Sequence, residues 1–275
     1  MKSSCRILSV VALMSFVVSI PAQAIEWRAA IGAHDFVVDQ ASSHTPGLNV
    51  GLAFTHFTDN NILLAGKADV LVDIDHDKLD PDHIPVWFQS AYLARGNLYH
   101  FSPQMSLDWQ VDVAGRRNTV SSIEQQFKFF PGLALNYQQP HFSARFKASA
   151  GYYQIELDDD VPKSFGYKRD DLKFSSQAFS LAMRTSIYFT PKLSLSAMAQ
   201  QWHDGDQWLE NKFGMHLDYD VSQFKADSLL VLSIEHHQYN LDLYQQSVEK
   251  PDAAPVLPWD RDTLVRLYLD IPWSF

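Results

Sequence analysis

Cysteine is almost missing from this chain of 275 residues: Cys5 is the only one. It precedes an apolar run and a small-residue cleavage site, so the exported chain is expected to carry no disulfide, thiolate metal site or cysteine nucleophile. Basic residues are also scarce, 22 Lys and Arg against 32 Asp and Glu. An acidic balance of this kind excludes the basic surface that a nucleic-acid binder needs. Long apolar runs are absent as well once the first 24 residues are set aside. No later stretch reaches the roughly 18 uncharged residues that a spanning helix requires.

Those first residues read as a removable export signal. Lys2 and Arg6 give a basic start, Ile7 to Ile20 form the apolar stretch, and Ala22-Gln23-Ala24 forms the cleavage site. The expected domain organisation is thus a signal over 1–24 and one domain over 25–275.

Aromatic residues, by contrast, are plentiful, at 13%. They fall into an alternating pattern. Val265, Leu267, Leu269, Ile271, Trp273 and Phe275 are apolar, while Arg266, Tyr268, Asp270, Pro272 and Ser274 stand between them. Successive strand residues face opposite sides, so this segment has one greasy face and one wet face. The same period marks Met105–Val113, Phe142–Gly151, Phe179–Phe189, Phe213–Tyr219 and Ile62–Asp73. The repeats reach ten residues or more, longer than ordinary strands and long enough to cross a bilayer when tilted. The wet face mixes small residues with charges of both signs, as a barrel interior does, whereas a soluble sandwich would bury its apolar face in a core. The expected fold is all-β, a single closed antiparallel transmembrane barrel of about twelve strands.

Strands are expected near 25–36, 47–58, 62–75, 86–100, 104–116, 123–138, 141–156, 174–189, 192–203, 208–221, 227–241 and 262–275. Short links alternate with longer polar ones at 37–46, 76–85, 117–122, 157–173, 204–207 and 242–261. An even-stranded barrel with both termini in the periplasm places tight turns there and long loops outside the cell.

At this point the chain resembles Gram-negative outer-membrane β-barrels. The resemblance rests on the export signal, the alternating strands and the terminal Tyr268, Trp273 and Phe275, which are similar to the signal read by the outer-membrane insertion machinery. It implies outer-membrane lipid, lipopolysaccharide and that machinery as partners. Size and strand number also resemble the translocator barrel of autotransporters. The passenger and lumen helix of that family have no counterpart here, so the nearest form is a solitary, passenger-less barrel.

The wet face supplies the lumen-lining candidates: Arg28, Lys67, Asp69, Arg95, Asp108, Asp112, Lys128, Arg145, Lys147, Arg184, Lys212, His216, Asp218, Glu235 and Arg266. Unpaired charges in a narrow barrel are costly, so most are expected to pair or stay hydrated. Such pairing either cross-links the interior shut or lines a narrow wet path. Trp27, Tyr137, Tyr188, Phe189, Tyr219, Trp273 and Phe275 are assigned to one interfacial girdle, and Trp87, Trp202, Trp208 and Trp259 to the other.

No catalytic residue is assigned. His141-Phe142-Ser143 is similar to the His-x-Ser of outer-membrane phospholipases, but where that family's orienting asparagine is needed the chain reads Gln154, Ile155 and Glu156. The pairs His34-Asp35 and His203-Asp204 suit an omptin-like protease, yet adjacent strand residues point to opposite faces. For metal, no cofactor is assigned. His216 with Asp218 would need a third ligand from across the barrel. Asp73, Asp75, Asp77, Asp80 and Asp82, and likewise Asp158 to Asp160, suit loop calcium, although Lys78 stands where a helix–loop–helix calcium site needs glycine. The loop 242–261, with Pro251, Pro255, Pro258 and Trp259, is a plug or a recognition arm. The expected function is a non-enzymatic, narrow, loop-gated pore or structural barrel with an unidentified permeant solute. The rivals are an outer-rim lipid or peptide hydrolase and a surface-recognition barrel.

Overall fold

The computed structural model describes residues 25–74, 86–118, 121–158, 172–242 and 259–273. The export signal, Asp75 to Asp82, Asp159, Asp160, Phe275 and most of the 157–173 and 242–261 links lie outside these residues.

Among the described residues twelve strands form a closed antiparallel barrel, each paired with its neighbours in sequence and β1 closing on β12. They are β1 Glu26–Val38, β2 Ser43–Phe57, β3 Leu63–Asp73, β4 Val86–Ser102, β5 Met105–Arg117, β6 Ile123–Gln139, β7 Phe142–Leu157, β8 Lys173–Thr190, β9 Leu193–His203, β10 Trp208–Asp220, β11 Leu229–Tyr239 and β12 Arg261–Trp273. Closure leaves no unpaired edge, which is the condition for placing sheet backbone in hydrocarbon.

The outer face is apolar and uncovered. Leu48, Val50, Leu133, Phe179, Leu181, Met183, Phe213 and Leu267 are all exposed. A belt of this extent around a whole molecule exceeds what water tolerates and matches the lipid-facing band of a membrane barrel. The opposite parity points inward and carries the charges. No helix among the described residues is long and apolar enough to cross a membrane; strands do the crossing here.

Links 58–62, 103–104, 140–141, 191–192 and 221–228 share one end of the barrel with Glu26 and Trp273; this is called the turn end. The other connections share the loop end. One expected loop is a correction: 37–46 is not a long link. β1 runs to Val38, a 3-10 turn spans Asp39–Ala41, and β2 starts at Ser43. The Ser-Pro-Gly composition suggests a loop, but the ladder absorbs it. Pro46 pairs with Asp35 in register and its carbonyl accepts from Ile74 N–H at 2.9 Å. Gly47 is required because a Cβ there would enter the His34 ring.

A bulge in β4 between Asn97 and Tyr99 switches the inward parity from odd to even residues. It places His100 opposite Ser106 on the lumen side and Tyr99 opposite Leu107 on the lipid side. Bulges re-aim side chains in this way without breaking the sheet.

Candidate functional site

The site is the lumen, and it differs at its two ends. Near the loop end the inward positions cease to be polar. Phe36, Val38, Leu71, Trp87 and Leu264 form one buried apolar cluster. Ile123, Phe130, Tyr153, Ile155, Leu157, Leu172, Ala178, Trp202, Leu209 and Tyr239 form a second. Trp87 is 1% exposed and Trp202 4%. Their assignment to a lipid interface girdle is therefore corrected: both fill the lumen, and Trp259 packs partly against the first cluster. A tryptophan at a strand end suits either place, and only the inward parity of Trp87 and Trp202 decides. At the turn end Phe189, Tyr219 and Trp273 are exposed on the outer face, where interfacial rings belong. Tyr188 instead has the inward parity of Arg184 and Ser186 and pairs with Ser194, so its assignment to the girdle is corrected as well.

Charged bridges join the two clusters. Arg116 on β5 donates to Asp262 on β12, with Nη2–Oδ2 at 2.7 Å and Nη1–Oδ1 at 3.1 Å. The same guanidinium lies over the rings of Phe36 and Trp87, and it reaches Tyr239 Oη on β11 at 3.4 Å. β5 and β11 are diametrically opposite in the strand order, so this contact spans the barrel. Gln126 on β6 donates to the same Tyr239 hydroxyl at 2.6 Å, and Ser121 donates to Asp262 at 2.8 Å.

A second knot surrounds Glu210 on β10. Lys128 Nζ and the Tyr153 hydroxyl both donate to Oε2, at 2.5 and 2.9 Å, and His237 Nδ1 lies 2.8 Å from Oε1. Lys128 also sits 4.1 Å from the Trp202 ring centroid. A third pair, His34 Nε2 with Asp73 at 2.8 Å, is fully buried, and Trp87 donates to the same carboxylate. Together these side chains form a septum across the loop end. A charge withdrawn from water is tolerable only when partnered in this way.

Below the septum the charge pairing continues, with Arg266, Asp69 and Glu235 still buried. Arg266 bridges Asp69 at 2.9 Å and Glu235 at 2.8 Å. Lys212 reaches Glu235 at 2.6 Å and Lys67 lies 3.6 Å from Asp69, with 41% of the Lys67 side chain exposed. Lys147 pairs with Asp112 at 2.5 Å. Toward the turn end Arg28 pairs with Asp270 at 2.9 Å, and Asp218 accepts from Ser194 at 3.3 Å. His216 shares that face and has no hydrogen-bond partner among the described residues. A cavity of about 430 Å³ opens at the turn end, lined by Arg95, Arg145 and Arg184 with Asn97, Asn136 and Ser186.

The residues weighed for chemistry are separated. His34 takes Asp73 inside while Asp35 faces out and meets His44 at 3.0 Å. His203 Nδ1 accepts from Gly205 N–H, and Asp204 accepts from the N–H groups of Asp206 and Gln207. Both are spent on building that tight connection. His141 lies on the exposed β6–β7 turn, with Ser143 lining the turn-end cavity. His236 bonds Thr263 while His237 faces the lumen, so these two do not converge. No three metal-ligating residues gather among the described residues.

Sequence reasoning missed Arg116, Asp262, Gln126, Tyr153 and Tyr239. Their inward parity was readable, and so was a second signal. The inward parity of β7 carries Arg145, Lys147 and Ser149 lower down and turns to Tyr153, Ile155 and Leu157 at the loop end, which marks a filled lumen there rather than a wet one.

No family model matches the chain, and no curated protein matches it. Solved structures do. The NanC porin aligns with 8% identity and a TM-score of 0.48, covering 90% of this chain and 99% of that one. The KdgM porin aligns with 11% identity and 0.46 over the same shares. Outer membrane phospholipase A from Escherichia coli aligns with 10% identity and 0.43, covering 93% and 92%. At these scores the likenesses carry no argument about activity.

Proposed function

We propose that this protein is an outer-membrane barrel acting as a narrow, non-enzymatic channel for small polar solutes, with its termini and tight turns in the periplasm. Lipopolysaccharide and outer-membrane lipid would surround it, and the insertion machinery would read its last strand. The gate in this proposal is the side-chain septum, whereas the sequence reading assigned gating to the loops. One observation carries the reading: a mixed-charge, ion-paired lumen rises from a cavity at the turn end to a layer held by polar cross-links at the loop end. An apolar plug would have no ready second arrangement, while charge pairs can exchange partners with water as they separate.

The narrower autotransporter-like resemblance stays an expectation. Hydrolase chemistry is no part of this proposal: His34, Asp35, His203 and Asp204 are engaged elsewhere, and His141 lies on an exposed turn.

The experiment is single-channel recording in planar bilayers. The wild-type barrel should open rarely, and Arg116→Ala with Asp262→Ala should give larger and longer openings. Lys67→Glu in that background should shift selectivity toward cations. If neither the wild type nor the double variant conducts at any voltage, the channel reading fails and a purely structural barrel remains.

A further inference from the structure

The wall of the turn-end cavity carries more positive charge than its acids balance. Arg145 on β7 and Arg184 on β8 are directly registered partners, both facing inward. Like charges placed opposite each other on neighbouring strands are unfavourable, and strand sequences usually avoid them. Arg145 donates to Gln110, a neutral acceptor. Its Nε–H is buried and has no partner among the described residues. Arg184 is exposed to the cavity and makes no hydrogen bond or ion pair among the described residues. Arg95 completes the group, 3.9 Å from Asp108.

Asp108 is the one acid in contact with this wall, and it is already shared. Asn97 and Asn136 donate to it at 3.0 and 2.8 Å. Three guanidiniums therefore line a cavity that holds one occupied carboxylate, with Asp218 acting on Arg184 only from beyond hydrogen-bond reach. Asp112, the next acid along β5, is taken by Lys147.

We infer that this cavity binds a small oxyanion solute of about two negative charges, a dicarboxylate or a phosphate, between Arg145 and Arg184 with Arg95 at its rim. The planar guanidinium fork matches both oxyanions, and charge-assisted bonds in a partly enclosed site are the strong ones. A bound dianion would relieve the Arg145–Arg184 repulsion and satisfy the unpartnered Nε–H. Asn97, Asn136 and Ser186 would hydrogen-bond the solute's remaining polar atoms. The septum closes the lumen on the other side, so the solute enters and leaves from the turn end in this conformation. The inference refines the channel reading by naming its solute class. Equilibrium binding is read without conductance, so each can fail alone.

The test is isothermal titration of the refolded full chain in detergent micelles, with succinate and inorganic phosphate as separate probes. The wild type should bind one equivalent of at least one probe, and the better probe identifies the class. Arg184→Gln should weaken binding about tenfold, the loss of one charge-assisted contact. It should also raise the urea midpoint when no anion is present, since it removes a repulsion. Lys192→Gln, on the exposed β8–β9 turn, should leave binding unchanged. Should Arg145→Gln fail to refold, Arg184→Gln decides alone, because Arg184 makes no hydrogen bond or ion pair to the described residues. No saturable heat with either probe, or equal affinity in wild type and Arg184→Gln, overturns the proposal.

Discussion

The Arg116 guanidinium meets the Asp262 carboxylate at 2.7 Å although β5 and β12 are separated by four strands along the shorter way round the barrel. Both side chains are almost fully buried. Removing one partner should be much worse than removing both, because a lone charge remains without water. We expect Arg116→Ala to lower unfolding stability by about 3–5 kcal/mol, and Arg116→Met with Asp262→Leu to recover most of it. Urea titration in lipid vesicles reads the difference, and equal losses for the single and double variants would refute the pairing.

The tryptophans divide by face. Trp109 stacks against Gly96 on the outer surface and Trp273 is half exposed there, whereas Trp87 and Trp202 lie inside. Single-tryptophan variants keeping Trp109 or Trp273 should be quenched strongly by brominated lipid. Those keeping Trp87 or Trp202 should be quenched weakly. Strong quenching of Trp87 would return it to the lipid interface.

The inward tryptophans should also matter more for stability. Trp202→Ala leaves a cavity between Phe130, Tyr153 and Lys128 and should cost about 3–5 kcal/mol. Trp273→Ala removes a ring from an exposed position and should cost clearly less in the same vesicle unfolding assay.

The outward face is tested by charge. Leu267, 51% exposed and mid-strand in β12, should resist replacement by arginine at a cost of about 2–4 kcal/mol if it faces the bilayer midplane. A soluble protein would tolerate Leu267→Arg on an exposed face, so an unchanged unfolding midpoint would contradict the membrane assignment.

Gly47 supports the buried His34–Asp73 pair by leaving room for the imidazole. Gly47→Ala should displace that ring and destabilise the barrel by about 1–3 kcal/mol, the range for overpacking. The His34 proton resonances should shift with it, and a variant with unchanged spectrum and midpoint would show that the space is not needed.

What the amino-acid order determined by itself was the strand period and hence the closed twelve-strand cylinder. Two-residue alternation sorts Leu267 from Arg266 and Phe179 from Ser180 without reference to any distant residue, and a strand can present its faces in only one way. It placed the charged lining inward for the same reason. It did not reveal which side chains meet across the loop end, because Arg116 and Gln126 on β5 and β6 reach Tyr239 and Asp262 on β11 and β12, more than a hundred residues away along the chain. Which charges meet depends on strand tilt, closure and the side-chain lengths that span the lumen. Nor did it place Trp87 and Trp202, whose chemistry suits a lipid interface and a packed interior equally well. Pairing across an enclosed space is a property of the closed barrel, and only the folded molecule could decide it.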